Sequence, residues 1–439
     1  MNGKMAMLVG GGPAPGINGV LSAATIEARN EGTEVLGIQD GFQWVMRGDT
    51  RHCRPLDIAD VKEHALRGGS ILGTSRANPT KSDEDMDTVL RTLRKLGVTA
   101  LVTIGGDDTA FSASQVYKRA GGAIRVAHVP KTIDNDLPLP NSTPTFGFET
   151  ARQVGVGIVR NLAEDARTTS RWYLVVSMGR AAGFLALGIG KAAAATLTVI
   201  PEEFARGQVT LDALCDILLG AIVKRRAQGS PYGVAVLAEG LLESIGEKGL
   251  LQALGSEQGL RRYGNVERDE HGHLRLGEID FGRMVKDRLA ARLEEVGLAV
   301  TLVDKELGYE LRCADPIPFD AEYTRDLGYG AVTFLRSEEA RHFGAMISFV
   351  GGSMRPLPFA KLIVPKTGRM RPRKVNVEGE AYACARRYMI RLEPGDFEAP
   401  QRLAALAAVL HMKPAQFRRR FGYVVGLTEP ERAEVAAVG

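Results

Sequence analysis

Three short apolar runs in this chain each break directly into a loop rich in glycine or charge, and that recurrence restricts the fold more than any other feature. Met5–Val9 leads into GGGPAPGIN (Gly10–Asn18), Ala100–Ile104 into GGDDT (Gly105–Thr109), and Ile124–Val129 into PKTIDNDLP (Pro130–Pro138). Longer segments with helical periodicity lie between them, which is the rhythm of a parallel sheet covered by helices on both faces. Val35–Ile38 is a further strand candidate. The segment after Ser82, SDEDMDTVLRTLRKLG, predicts an amphipathic helix with acids in its first turn, bases near its end and Gly97 as its stop.

The rhythm then repeats. LPLPNSTP (Leu137–Pro144) reads as a crossover between lobes. It is followed by a helix around Phe148–Arg167, a strand at Trp172–Ser177, a glycine-containing helix after Arg180, and strands near Leu197 and Val234. A chain of 439 residues exceeds one ordinary core, so two α/β lobes with a cleft between them are expected. The expected division gives residues 1–140 and about 305–400 to the first lobe and 141–304 to the second, with 401–439 as a helical extension. Residues 241–300 are richer in charge and read as an insertion, with GNVERDEHGHLRLGE as a polar hairpin between two helices.

Composition narrows the class. Hydrophobic residues make up 44% and charged residues 25%, as in a globular enzyme. The net charge is +4 and no lysine or arginine block appears, which gives little support to nucleic-acid or membrane-surface binding. Cys53, Cys215, Cys313 and Cys384 are scattered without a CxxC pair, disfavouring a disulfide framework or a zinc site and pointing to a reducing cytosol. The opening apolar run is too short for a signal peptide, and AAGFLALGIGKAAAA is interrupted by glycines and Lys191. A cytoplasmic protein is expected. His271 and His273, in HGH, suit a solvated turn better than a metal site, since no cysteine or third histidine lies close.

Each of the three loops has a chemical reading and a plainer one. A glycine-rich turn ahead of a helix lets backbone N–H groups approach an anion, although a tight turn that binds nothing needs the same glycines. Asp107 and Asp108 repel each other, and a Mg²⁺ carrying phosphate groups would hold them together; an aspartate N-cap for a helix beginning near Ala110 would occupy only one. Lys131 suits a phosphate, and Asp134 could accept a hydroxyl proton, against the alternative of a capped acidic turn. Three such loops at the same edge of one sheet, where open α/β sheets bind ligands, are much less expected by chance than any one.

In these residues the sequence resembles the phosphofructokinase family. The matching features run in order: GGxxPG, GGDD, PKTIDND, MGR at Met178–Arg180, a strand ending in Glu239, and LGYELR at Leu307–Arg312. The resemblance implies two Rossmann-like α/β lobes with the active-site cleft between them, and phosphoryl transfer to the C1 hydroxyl of fructose 6-phosphate, with Asp134 as catalytic base and Asp107 holding Mg²⁺. It also implies sugar-phosphate contacts from Thr132, Ile133, Asp134, Met178, Gly179, Arg180, Glu239, Tyr309, Glu310, Leu311 and Arg312. Arg180 belongs equally to the implied catalytic set. Arg171 matches an arginine that reaches the 6-phosphate in a neighbouring subunit's site, which implies a homodimer or homotetramer.

Two departures from the ATP-using members bear on the donor. Those members have glycine at the positions of Asp108 and Lys131, and GGDD with PKTIDND is similar to the pyrophosphate-using branch. A carboxylate about 4 Å from an α-phosphate costs up to about 4 kcal/mol at an effective dielectric near 20, roughly a thousandfold in affinity. Lys131 would neutralise a compact pyrophosphate and fill the volume an adenylate needs. Gly11, Gly12, Arg76 and Gly106 complete the implied donor site, with the Arg76 guanidinium able to bridge pyrophosphate and the transferring phosphoryl. Pro13 replaces an aspartate of many ATP-using relatives. Val303 stands where bacterial ATP-using relatives place a second subunit-crossing arginine, for which Lys305 is a substitute. The alternatives are an ATP-dependent phosphofructokinase, sedoheptulose 7-phosphate as main acceptor, and a non-catalytic sugar-phosphate-binding regulator.

Overall fold

A computed structural model describes residues 3–204, 209–268, 274, 276–364 and 370–429. The chain divides into two compact units, Met1–Val154 with Gly308–Arg373, and Gly155–Leu307 with Lys374–Gly439.

The first unit is built on a seven-stranded sheet. Its strands are β1 (Lys4–Val9), β2 (Val35–Ile38), β3 (Cys53–Leu56), β4 (Val98–Gly105), β5 (Arg125–Pro130), β10 (Ala345–Val350) and β11 (Ser353–Pro358). Their order is β11-β10-β5-β4-β1-β2-β3. The five inner strands run parallel, and the edge strands β3 and β11 are antiparallel. Both edges carry proline, which cannot donate to a ladder and is confined to such positions. Alternation along β1 feeds two cores. Met5, Met7 and Val9 join Ile17, Leu21, Leu327 and Ala331 on one face, while Ala6 and Leu8 join Met86, Leu90, Ala110 and Val116 on the other. Ser82 caps the helix Asp83–Lys95 by accepting from the Asp85 N–H at 3.2 Å, and Gly97 closes it at φ 75°.

The second unit holds a four-stranded parallel sheet of β6 (Trp172–Ser177), β7 (Leu197–Val199), β8 (Gly233–Ala238) and β9 (Leu302–Leu307), in the order β7-β8-β6-β9. The helix Phe148–Thr169 carries the chain into this unit, so LPLPNSTP does not make the crossing: Leu137 and Leu139 pack into the core of the first unit.

Residues 241–300 differ from a surface insertion. Leu241, Leu242, Ile245 and Leu250 of the helix Gly240–Leu254, and Met284, Val285, Leu289 and Leu293 of the helix Phe281–Glu295, are buried in the core of the second unit. Their charges lie on the outer faces, which is what made the span look peripheral. Antiparallel bridges join Gly264 to Ile279 and Arg268 to Leu274, and His271 and His273 lie outside the described residues. The return to the first unit ends at Arg373, earlier than the position near 400 expected from sequence. The reason is that helices Pro400–Val409 and Pro414–Phe421 bury Leu403, Leu406, Phe417 and Phe421 against Ile217 and Leu218 of the second unit. Among the described residues no helix is long and apolar enough to cross a membrane.

Candidate active site

The three sequence loops emerge side by side. Val9 pairs with Ile104, Ile104 with Val129, and Gly105 with Pro130, so the loops leave β1, β4 and β5 at one level of the sheet. The chain winds outward from β1 in one direction to β2 and in the other to β4, which makes the β1–β4 edge the switch point where open α/β sheets bind ligands. A fourth loop joins them: Gly10 bridges to Ser75, and the Thr74 hydroxyl donates to the Gly11 carbonyl at 2.6 Å, which brings exposed Arg76 to this edge.

Glycine is required by what surrounds it. A Cβ on Gly10 or Gly105 would lie 2.4 Å from the Thr109 side chain, while Gly11 and Gly16 adopt φ of 83° and 97°. The helices Ile17–Asn30 and Asp107–Ala120 begin at Gly16 and Gly106, and neither N-cap has a side-chain hydrogen bond. Their first N–H groups and positive dipole ends therefore point toward the loops. Asp107 and Asp108 both stand in the first turn, half-buried and exposed respectively. The alternative of an aspartate N-cap ahead of a helix beginning near Ala110 does not hold: the helix begins at Asp107 and its N-cap is Gly106.

Two cations flank the Gly11–Gly12 backbone. Lys131, only 5% exposed, donates from Nζ to the Gly12 carbonyl at 2.5 Å, and that ammonium would lie 3.2 Å from a Cβ on Gly11. Arg312 Nη1 would lie 3.3 Å from a Cβ on Gly12, and its guanidinium covers the Tyr309 ring at 5.0 Å. Glu310, exposed, accepts from the Gly308 N–H at 3.1 Å, and Leu311 is buried. Beneath the loops His128 is fully buried between the Thr103 hydroxyl at 2.9 Å and the Gly105 carbonyl at 3.0 Å. Because a carbonyl only accepts, Nε2 carries the proton and Nδ1 accepts from Thr103. Burial pushes the His128 pKa down to about 3, and the Lys131 charge acts in the same direction.

Asp134 is 8% exposed, and its N–H donates to the Thr132 hydroxyl at 3.0 Å. Thr132, Ile133 and Asn135 are buried around it. Sequence reasoning missed Thr145 and Arg373, which hold this loop from outside the motif. The Thr145 hydroxyl donates to the Thr132 carbonyl at 2.7 Å, and Arg373 Nε donates to the Asn135 carbonyl at 2.6 Å. No short-range pattern marks Arg373, which lies 238 residues from Asn135 along the chain.

In the second unit the MGR loop and Glu239 follow adjacent strands, since Ser177 pairs with Ala238. One Glu239 carboxylate oxygen accepts from the N–H groups of Gly179 and Arg180, each at 3.2 Å, and holds Arg180 at φ 50° with its side chain exposed. Met178 is anchored by its N–H to the Leu307 carbonyl at 2.9 Å. A cavity of about 480 Å³ opens beside this loop, lined by Ala181, Glu202, Gly240 and Glu243 among others. Arg171 does not join the group. It precedes β6 by one residue, whereas Met178 follows it, a separation of roughly 20 Å at the rise of an extended strand. Val303 and Lys305 share one face of the edge strand β9.

With these loops placed, comparison with known proteins gives a consistent result. The profile of the family described as Phosphofructokinase matches residues 4–335. The chain is 52% identical over 424 residues to the pyrophosphate–fructose 6-phosphate 1-phosphotransferase of Thermotoga maritima, covering 97% of this chain and 99% of that one. It is 50% identical over 428 residues to the protein of the same description from Naegleria fowleri, covering 96% and 95%. A crystal structure of a pyrophosphate-dependent phosphofructokinase from Marinobacter aquaeolei superposes with a TM-score of 0.62 at 17% identity, over 93% of this chain and 91% of that one, a likeness of fold. The loops that crowd the β1–β4 edge thus sit within a match spanning most of the chain, and the chain belongs to the phosphofructokinase family.

Proposed function

We infer that this chain catalyses reversible, Mg²⁺-dependent transfer of a phosphoryl group from pyrophosphate to the C1 hydroxyl of fructose 6-phosphate, giving fructose 1,6-bisphosphate and phosphate. The observation that carries the reading is the buried Lys131 ammonium bound to the Gly12 carbonyl, on the glycine loop at the start of an uncapped helix. Such a place suits a compact, highly charged anion. Lys131 fills volume that its glycine counterpart in ATP-using relatives would leave open.

The donor set suits Mg²⁺ brought in by the diphosphate. Among the described residues no three His, Cys, Asp or Glu side chains are placed to cage a metal, and Mg²⁺ commonly takes one or two carboxylates together with phosphate oxygens and water. Asp107 would hold the ion, with Asp108 beside it; when bound, the ion supplies charge neutralisation on the diphosphate.

Asp134 accepts the proton of the C1 hydroxyl as that oxygen attacks the nearer phosphorus in line. The bridging P–O bond breaks, its electron pair leaves on phosphate, and Lys131 and Arg76 offset the departing charge. Arg180 offsets charge on the transferring group, with Gly12 and Gly106 leaving room for the donor. Thr132, Ile133, Met178, Gly179, Glu239, Tyr309, Glu310, Leu311 and Arg312 hold the sugar phosphate. Arg171, standing far from its own Met178 loop, serves the 6-phosphate of a neighbouring copy in a cytoplasmic homodimer or homotetramer.

A coupled assay supplying pyrophosphate and ATP in turn, with Mg²⁺ and fructose 6-phosphate, tests the donor. Pyrophosphate is expected to give the higher kcat/KM by about a thousandfold; the reverse preference would sink the assignment. Repeating it with sedoheptulose 7-phosphate settles the acceptor.

A further inference from the structure

The loop that carries Asp134 is not held by its own sequence alone. Asn135, the next residue, adopts φ 57°, a left-handed conformation that costs most side chains and that asparagine tolerates. Its side-chain oxygen accepts from the Thr145 N–H at 3.0 Å and from Arg373 Nη2, while its main-chain carbonyl accepts from Arg373 Nε at 2.6 Å. The Arg373 N–H also donates to the carbonyl of Asp136 at 2.7 Å. One residue therefore grips two successive peptide units immediately after Asp134, and its planar fork engages side chain and main chain of the same asparagine.

Arg373 is bound for this task at some cost. Burial lowers the pKa of its guanidinium, and the neighbouring Asp136 charge opposes that. A half-buried cation that spends its donors on carbonyl oxygens is an expensive way to close a loop if any turn would do. It is an economical way to fix the direction of one side chain. Cα–Cβ direction follows from the backbone on either side, and Asp134 has Thr132 bound to its own N–H on one side and the Arg373 fork on the other.

We propose that Arg373 is a positioning residue for the reaction: it clamps the left-handed Asn135 so that the Asp134 carboxylate is aimed at the hydroxyl it deprotonates. It is not among the residues assigned above to the donor or the acceptor. This rests on Asp134 being the proton acceptor of the proposed reaction. Misplacement of a reacting group by about 1 Å costs on the order of a hundredfold in rate, so loss of the fork is expected to act on kcat and to leave KM nearly unchanged.

The experiment compares Arg373→Ala, Arg373→Lys, Asn135→Gly and Asp134→Asn in the full chain. Expected results are a fall in kcat of about 10- to 100-fold for Arg373→Ala with both KM values within about twofold, and partial recovery on adding guanidinium chloride at millimolar concentration. Arg373→Lys keeps the charge without the fork and should fall nearly as far, so it decides the matter if the alanine variant does not fold. Asn135→Gly keeps the backbone conformation and removes the shared oxygen; its effect should not add to that of Arg373→Ala. An unchanged kcat in folded Arg373→Lys and Arg373→Ala proteins, or a rise in KM alone, would overturn the clamp. Full activity in Asp134→Asn would instead remove the base itself, whatever Arg373 does.

Discussion

Lys131 Nζ reaches back across the sheet edge to the Gly12 carbonyl, 2.5 Å away, so a cation from the loop after β5 is fastened to the loop after β1. That contact places both charge and bulk at the same point. The two contributions can be separated. Lys131→Met keeps most of the volume and removes the charge, and should lower kcat/KM for pyrophosphate by about a hundredfold, or ~3 kcal/mol, without gaining ATP. Glycine at both 108 and 131 should lose pyrophosphate activity and gain ATP turnover. Unaltered donor preference in the double variant, measured with both donors, would separate these residues from donor choice.

Asp107 lies in the first turn of its helix and is not the cap. Asp107→Asn should raise the Mg²⁺ concentration for half-maximal activity by about tenfold while the fold is retained. Titrating MgCl₂ back after EDTA treatment measures this, and an unshifted curve would exclude Asp107 from metal binding.

His128 is neutral in the folded chain because burial holds its pKa near 3, against the ordinary value of 6.5. The unfolded chain therefore binds one more proton than the folded chain between these values. Stability from this group is complete above about pH 6.5 and is lost as pH falls toward 3, by up to ~1.4 kcal/mol per pH unit. His128→Asn should flatten urea-unfolding stability against pH by about one proton in that window. An identical slope for both proteins would show that His128 is not the titrating group.

Asp320, fully buried, accepts from the N–H groups of Gly147 and Thr150 at 2.8 Å and from the Thr150 hydroxyl at 2.6 Å. It thereby fastens the start of the helix Phe148–Thr169 to the helix Pro318–Arg336. Asp320→Ala strands three donors and should cost ~3 kcal/mol in urea unfolding, while Asp320→Asn, which keeps one oxygen, should cost about half of that. Equal losses would point to lost packing in place of lost acceptors.

The strands and their loops were legible because a sheet buried on both faces writes unbroken apolar runs, and those of β1, β4 and β5 lead into loops rich in glycine or charge. The β2 and β6 spans coincide with the runs Val35–Ile38 and Trp172–Ser177. The capping geometry was not legible, because GGDD gives no local sign of whether glycine or aspartate begins the helix. The clamp of Arg373 on Asn135 and the cap from Asp320 were hidden for a different reason: each joins positions far apart in the chain, and a lone arginine or aspartate carries no periodicity. The span 241–300 misled because its buried stripe is narrow among many charges.

The interleaving of the two units has a consequence during synthesis. The face of β1 that presents Met5, Met7 and Val9 is covered in part by Leu327, Ala331 and Phe334, which are made some three hundred residues later. At about 5–20 residues per second, that face waits roughly 15–60 s for its lid. The second unit is likewise incomplete until Phe417 and Phe421 emerge. Nascent chains should therefore depend heavily on holding chaperones, and a ribosome stalled before codon 336 should release aggregation-prone fragments.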